Sequence, residues 1–321
     1  MTIGAVVIGR NEGERLKRCL ASLHGATDQI VYVDSGSIDG SVEHARSIGA
    51  EVVDLDTSRG FTAARARNAG LARLKDGHAP TYIQFVDGDC EVQPGWIAAA
   101  RSFLDANPDA AIACGRRRER FPDASPYNRR CDREWDTPVG RTKACGGDAL
   151  MRVVALEDVG GYNPGLIAGE EPEMCVRLRA RGWEIWRLNE EMTLHDAAMT
   201  RFRQFWKRAQ RGGFARIEGV AMHGGPPERH NVKETVRILF WGLALPIAIF
   251  IGVLVVSPWI LVLALAYPLQ TARIALREGG TTVAWEQAWL LTVGKFAETH
   301  GMFDYLWRRI RGVKGGLIEY K

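Results

Sequence analysis

A chain of 321 residues with 46% hydrophobic and 25% charged residues has the material for a real core and a length that suggests about two domains. Its formal net charge of +4 is too small to argue for a nucleic-acid partner, and no nucleic acid is expected. The six cysteines never form a Cys-x-x-Cys pair, which signals neither a zinc site nor a disulfide framework and leaves reduced thiols in a cytosol-facing domain as the expectation. The first residues lead straight into a strand, and no cleavable signal peptide is expected.

Residues 3–8 are aliphatic and read as a strand, and Leu16, Cys19, Leu20 and Leu23 recur after it at helical spacing. A second strand at 29–34 ends in Asp34 and the turn formers of 35–40, followed by a helix with Val42, Ala45 and Ile48 or Gly49 on one face. Residues 51–55 read as a third strand, and an Ala- and Arg-rich helix spans about 62–74. The fourth strand begins at Thr81 and breaks at Gly88, between Asp87 and Asp89. A helix at 96–104, with Trp96, Ala99, Ala100 and Phe103 on one face, leads to a strand at 110–114.

Strands alternating with helices in this way imply right-handed crossovers and a parallel sheet. The loops at 10–12, 34–40 and 87–89 then converge on one edge. Ligands of open α/β sheets bind in the crevice at that edge, and paired acidic oxygens suit a hard divalent cation bridging to phosphate. An isolated Asp-Gly-Asp is otherwise an acidic turn. No glycine-rich phosphate loop follows the first strand, which argues against a dinucleotide dehydrogenase or a P-loop enzyme.

Residues 116–145 are dense in Arg, Asp and Pro and read as an inserted loop, either touching a phosphate-bearing ligand or simply solvated. Gly146 and Gly147 permit close backbone approach to a ligand, which makes Asp148 a candidate substrate contact ahead of a helix at 151–159. Pro172 fits the first position of a helix whose Met174, Cys175 and Leu178 pack inward, placing Glu171 near the N-cap. His195 follows a strand-like stretch at 183–186, and a helix at 202–210 carries Phe202, Phe205, Trp206 and Ala209 on one stripe.

From 238 to 272 there are 35 residues without Asp, Glu, Lys or Arg, long for one membrane span and nearly enough for two short ones. Ser257-Pro258 would make the turn. Arg229, Lys233 and Arg237 before it and Arg273 and Arg277 after it favour a hairpin with both ends in the cytoplasm. Further on, Trp285, Trp289, Phe296, Phe303 and Trp307 precede Arg308, Arg309, Arg311 and Lys314, the pattern of a helix lying at an anionic interface.

Taken in order, the motifs at 7–12, 33–41, 66–70, 86–89, 160–163 and 169–171 resemble the signature of family-2 glycosyltransferases with the GT-A fold, over roughly residues 3–215. The resemblance implies a mostly parallel sheet flanked by helices, as in nucleotide-diphospho-sugar transferases, with a C-terminal transmembrane segment. The expected layout is a catalytic domain at 1–225, a transmembrane hairpin at 236–276 and an amphipathic basic region at 277–321. It further implies that Arg10, Glu12, Asp34 and Asp39 hold the nucleotide base and ribose, turn capping being the other reading of Asp34 and Asp39. Arg67 would meet base or diphosphate. Asp89 would bind Mg²⁺ or Mn²⁺, with Asp87 nearer the ribose or a metal-bound water. His195 would approach the metal or diphosphate, or be structural.

The base that takes the acceptor proton maps to Glu171, with Glu170 as runner-up. Processive relatives carry Gln-x-x-Arg-Trp where this chain has Gln204-Phe205-Trp206-Lys207-Arg208, a mismatch that favours transfer of a single sugar. The expected activity is inverting transfer from a nucleotide-sugar donor to a lipid-linked saccharide or polyprenyl-phosphate acceptor, in polysaccharide synthesis. The protein would be integral to the cytoplasmic membrane with its catalytic domain on the cytoplasmic side. The alternatives are a membrane-tethered nucleotide-sugar binding protein without catalysis and a nucleotidyltransferase.

Overall fold

The computed structural model describes residues 2–58, 60–76 and 79–312, so that Lys314 of the basic cluster lies outside the described residues. The chain divides into two compact units. The first runs to Asp123 and resumes from Cys131 to Ala198; the second takes Ala124–Arg130 and the chain from Met199 onward.

In the first unit the elements are β1 Ile3–Gly9, α1 Glu14–Leu23, β2 Gln29–Asp34, α2 Ser41–Ser47, β3 Glu51–Asp54, α3 Ala63–Lys75, β4 Tyr82–Asp87, β5 Cys90–Val92, α4 Trp96–Ala106 and β6 Ala110–Glu119. There follow α5 Pro126–Glu134, whose first turns belong to the second unit, then β7 Gly140–Arg141, β8 Ala149–Arg152, α6 Val153–Asp158, α7 Glu170–Ala180 and β9 Glu184–His195. The strands form one sheet in the order β3-β2-β1-β4-β8-β6-β9-β5, with β7 paired to β9.

β1 pairs in parallel with β2 and β4, and β2 with β3, as the alternation of strands and helices predicts. Beyond β4 the sheet is mixed, because β8 enters antiparallel between β4 and β6. Residues 149–152 were expected to lead into a helix starting at 151. They form a strand instead, since Ala149, Leu150 and Met151 are buried on both faces, and a short apolar run carries no period that separates strand from helix. The helix starts only at Val153.

The Arg-rich stretch from 116 is likewise no loop. Arg116, Arg117 and Arg118 continue β6, which pairs along β9, itself extended to 12 residues. Each guanidinium finds a carboxylate there: Arg116 reaches Asp132 at 3.1 Å and Arg118 reaches Glu191 at 2.7 Å. The core lies on both faces of the sheet around Val6, Val33, Phe85, Ile112 and Leu150, all at most 1% exposed. Gly70 is required in it, because a Cβ there would sit 2.4 Å from a Val6 methyl, so α3 can lie directly on β1.

The second unit is helical. Its further elements are α8 Phe202–His223, α9 Val232–Leu239, α10 Leu245–Val255, α11 Ala266–Arg277 and α12 Thr282–Ile310. A π-helical turn, Phe240–Ala244, joins α9 to α10, and a 3₁₀ segment, Pro258–Leu265, leads into α11. Val232–Val255 and Pro258–Arg277, of 24 and 20 residues, are each long and apolar enough to cross a membrane. They meet at Ser257, whose Oγ caps the second by accepting from Trp259 N at 3.3 Å. Large apolar side chains stand outward on them, Phe250 at 66% and Trp259 at 86% exposed. α8 and α12 touch backbone to backbone. A Cβ on Gly213 would lie 1.9 Å from the Glu298 carbonyl oxygen, and one on Gly301 1.9 Å from that of Gln210.

Candidate active site

The first and second loops meet at the carboxyl ends of β1 and β2. Asn11, at φ 54°, accepts through its Oδ1 from Ile38 N at 2.8 Å and donates its own N–H to Ser37 Oγ at 2.9 Å, stitching the two loops together. Asp34 is buried, accepting from Tyr32 Oη and from the amides of Gly36 and Ser37, each at 2.8 Å. Asp39 accepts from Ser41 N at 3.2 Å at the start of α2. These are turn-capping bonds, and they spend oxygens that the sequence reading offered to a base or ribose. Glu12 pairs with Arg15 at 2.8 Å, and the Arg10 guanidinium lies over the Phe61 ring at 4.7 Å. Gly88 brings the end of β4 against the first loop, since a Cβ there would sit 3.3 Å from Glu12 Cγ.

At the end of β4 the two acidic foci come together. α7 starts at Glu170 behind Gly169, whose φ of 78° suits glycine, so Glu171 is the second helical residue and Pro172 the third. Pro172 was expected at the first helical position and stands at the third; the whole first turn has no intrahelical acceptor for its N–H groups, and proline is tolerated throughout it. Arg67, 2% exposed on the inner face of α3, donates to Asp87 Oδ1 and Glu170 Oε1 at 2.8 Å each and lies 3.8 Å from Glu171 Oε1. Its guanidinium is thus occupied by three carboxylates. Gly147 packs between them: a Cβ would lie 2.8 Å from Arg67 Nη2, 3.0 Å from Asp87 Oδ2 and 3.3 Å from Glu171 Oε1.

Arg117, which the sequence reading did not single out, closes the other side. It donates to Asp87 Oδ2 at 2.9 Å and pairs with Asp148 Oδ2 at 3.0 Å. Asp148 is 1% exposed, accepting from Asp87 N at 3.1 Å and Thr193 Oγ1 at 2.8 Å, which makes it a brace for Asp87. The strand alternation of β6 was the missed signal, since it turns Arg117 and Glu119 to one face.

These neighbours set the two acids apart. Burial works to raise the Asp87 carboxyl, but the guanidiniums of Arg67 and Arg117 overrule it and hold Asp87 well below the ordinary carboxylate range. Glu171 is pushed up to about 7 by burial, and then by the Glu170 charge, against the pull of Arg67.

A second cluster sits beside the first. β9 runs between β6 and β5, with His195 in register with Cys90 on one side and Glu119 on the other. His195 Nε2 lies 3.3 Å from Asp89 Oδ2, and its Nδ1 lies 3.4 Å from Glu119 Oε2. Burial pushes the imidazole below its ordinary value while Glu119 opposes it. Trp135 meets the His195 ring edge-on at 4.7 Å and carries the Arg117 guanidinium over its own ring at 5.1 Å.

Ligand atoms of Asp89, Cys90 and His195 lie within 4.8 Å of one another, a buried set that fits a divalent ion. Asp87, Cys90 and Asp148 form a similar group, but Arg117 already supplies the positive charge between those carboxylates.

Three comparisons bear on this arrangement. Residues 5–156 match the family described as Glycosyl transferase family 2. The chain is 25% identical over 257 residues to the Succinoglycan biosynthesis protein ExoA of Rhizobium meliloti, a match that covers 77% of this chain and 76% of that protein. Among solved structures, it resembles a mannosyltransferase from Pyrobaculum calidifontis in complex with GDP-Man and Mn²⁺, with a TM-score of 0.62 at 17% identity over 96% of this chain and 88% of that one. The glucosyl-3-phosphoglycerate synthase of Mycobacterium tuberculosis, solved with Mn²⁺, UDP-glucose and glycerol 3-phosphate, gives a TM-score of 0.51 at 17% identity over 70% of this chain and 81% of its own.

Proposed function

We propose that this chain, which has the GT-A fold and matches glycosyltransferase family 2 over residues 5–156, is a glycosyltransferase that transfers one sugar, with inversion, from a nucleotide-sugar donor to a lipid-linked acceptor. The observation that carries the chemistry is Glu171, a carboxylate pushed up to about 7 and held beside Asp87 at the Gly147 backbone. A general base works best when its pKa lies near the working pH. Glu171 takes the proton from the acceptor hydroxyl as that oxygen attacks the anomeric carbon. The bond from that carbon to the diphosphate oxygen breaks, and the electron pair leaves with the nucleoside diphosphate.

Glu170 serves better as a partner than as a base, because it is paired to Arg67 at 2.8 Å. Asp87, locked in its ionised form by Arg67 and Arg117, accepts hydrogen bonds from the donor's ribose. Arg10 and Glu12 line the side of the site where the nucleotide base enters, with Asp34 and Asp39 shaping its loop. Asp89 and His195 would hold the divalent cation, whose charge would offset that of the departing diphosphate. The imidazole in the set favours Mn²⁺ over Mg²⁺, which prefers oxygen ligands alone.

A lipid-linked acceptor is supported by the two apolar helical stretches on the same chain. We place them as a hairpin in the cytoplasmic membrane with both ends on the cytoplasmic side. α12 would lie at the interface through Trp285, Trp289 and Trp307, each at least 43% exposed. The test is to incubate membranes holding the full chain with labelled GDP-mannose, UDP-glucose and other nucleotide sugars and to follow label into the lipid fraction. Label transferred by the wild type and lost with E171Q supports the reading. Donor binding without any turnover would move the chain to the class of binding proteins.

A further inference from the structure

We propose that Glu119 is a positioning residue of the cation site: it fixes the proton of His195 on Nδ1 and so presents Nε2, unprotonated, beside Asp89. This rests on the reading of Asp89 and His195 as cation ligands and adds to it a residue that no motif marks.

The argument starts from β6 and β9. Their parallel register sets Glu119 opposite His195, and the main chain reinforces the pairing, since Arg120 N donates to the His195 carbonyl at 2.7 Å. The Glu119 carboxylate is itself immobilised. Its Oε1 accepts from Phe121 N at 3.1 Å and its Oε2 from Ala197 N at 3.0 Å, while Glu119 N donates to Asp132 Oδ1 at 2.9 Å. A carboxylate held by backbone amides is an acceptor in a fixed place, and His195 Nδ1 lies 3.4 Å from it. Nδ1 therefore carries the hydrogen, and the Nε2 lone pair faces Asp89 Oδ2 across 3.3 Å.

With Nε2 bare, His195 and Asp89 present two acceptors that would hold a divalent cation, and Cys90 adds a third ligand atom within 4.8 Å. A carboxylate behind a ligating histidine both fixes its tautomer and makes its free nitrogen a better donor to a cation. The Trp135 ring, edge-on to His195 at 4.7 Å, limits rotation of the imidazole away from this arrangement.

The experiment uses the full chain in detergent and Mn²⁺ alone, titrated calorimetrically or by the loss of its free-ion paramagnetic resonance signal. E119Q is expected to weaken Mn²⁺ binding roughly 10–100-fold, the range found when such backing groups are removed, and D89A to abolish it. Independently, ¹⁵N resonances of the imidazole, identified by their loss in H195A, should show His195 in the wild type protonated on Nδ1 and bare on Nε2. Where E119Q does not fold, this tautomer measurement decides by itself. Mn²⁺ bound by E119Q within twofold of wild type, or a proton found on Nε2, overturns the role of Glu119 while loss of binding in D89A leaves the cation site standing. Undiminished Mn²⁺ binding in both D89A and H195A overturns the cation site itself and Glu119 with it.

Discussion

The replacement of Glu171 by Gln tests the proposed chemistry most directly, because it keeps the shape of the side chain and removes only its ability to take a proton. At an effective dielectric of about 20, a unit charge pair at 2.8 Å is worth ~6 kcal/mol and one at 3.8 Å ~4 kcal/mol, the separations of Arg67 from Glu170 and Glu171. The difference, ~1.5 kcal/mol, is the weaker hold of Arg67 on Glu171, which lets burial and the neighbouring Glu170 charge push that carboxyl up to about 7, where it exchanges its proton near neutrality. Loss of a general base costs ~10²–10⁴ in rate, or about 3–5 kcal/mol of transition-state stabilisation. Initial rates of label transfer with E171Q should therefore fall by that factor with donor binding retained.

The wild-type rate should rise about tenfold per pH unit toward 7 and level off above it, a limb that E171Q should lack. Stability should move the other way. A carboxyl whose folded pKa of about 7 exceeds its unfolded value near 4.3 makes the native state bind extra protons between those values, so this group's contribution declines as pH rises through that window. E171Q should then be the more stable protein at pH 8, by up to about 3 kcal/mol, and lose the advantage near pH 4. Turnover of E171Q within threefold of wild type, or a pH limb that survives in it, would refute Glu171 as the base.

Asp89→Ala should abolish Mn²⁺-dependent transfer while leaving the thermal transition of the protein nearly unchanged; retained turnover with Mn²⁺ supplied contradicts the cation assignment. Arg117→Met leaves Asp87 and Asp148 without a guanidinium they both contact, and should cost about 3–5 kcal/mol in thermal or denaturant unfolding. Gly147→Ala should keep the fold but displace Arg67, Asp87 or Glu171, lowering the turnover number up to ~10²-fold in steady-state kinetics. Gly301→Ala forces a methyl to within 1.9 Å of a carbonyl oxygen between α8 and α12, and should destabilise at or above the upper end of the ~1–3 kcal/mol typical of overpacking, read as a lowered melting temperature in detergent.

The sequence by itself determined the elements whose cause is local. The aliphatic runs at β1 and β2, the helical spacing of Leu16, Leu20 and Leu23, and the strand that ends in Asp87 each follow from side chains within a few residues of one another, so they could be read in order. The apolar stretch from 238 to 272 was legible for the same reason, as was its turn at Ser257-Pro258.

What the tertiary structure decided depends on neighbours far apart in the chain. β8 is a strand because β4 and β6 flank it, a fact that Ala149, Leu150 and Met151 do not encode. Arg116 to Arg118 look like a solvated loop until the carboxylates of Asp132, Asp87, Asp148 and Glu191 are brought to them. Arg67 becomes a buried tie between β4 and α7, and Asp148 a brace, because each faces charges that sit some 20 to 103 positions away. Glu119 behind His195 depends on the register of two strands. Local pattern thus announced the acids Asp87, Asp89 and Glu171. Only the fold, by choosing which charges and how much water stand next to each carboxylate, decided which one is held ionised and which is left free to take a proton.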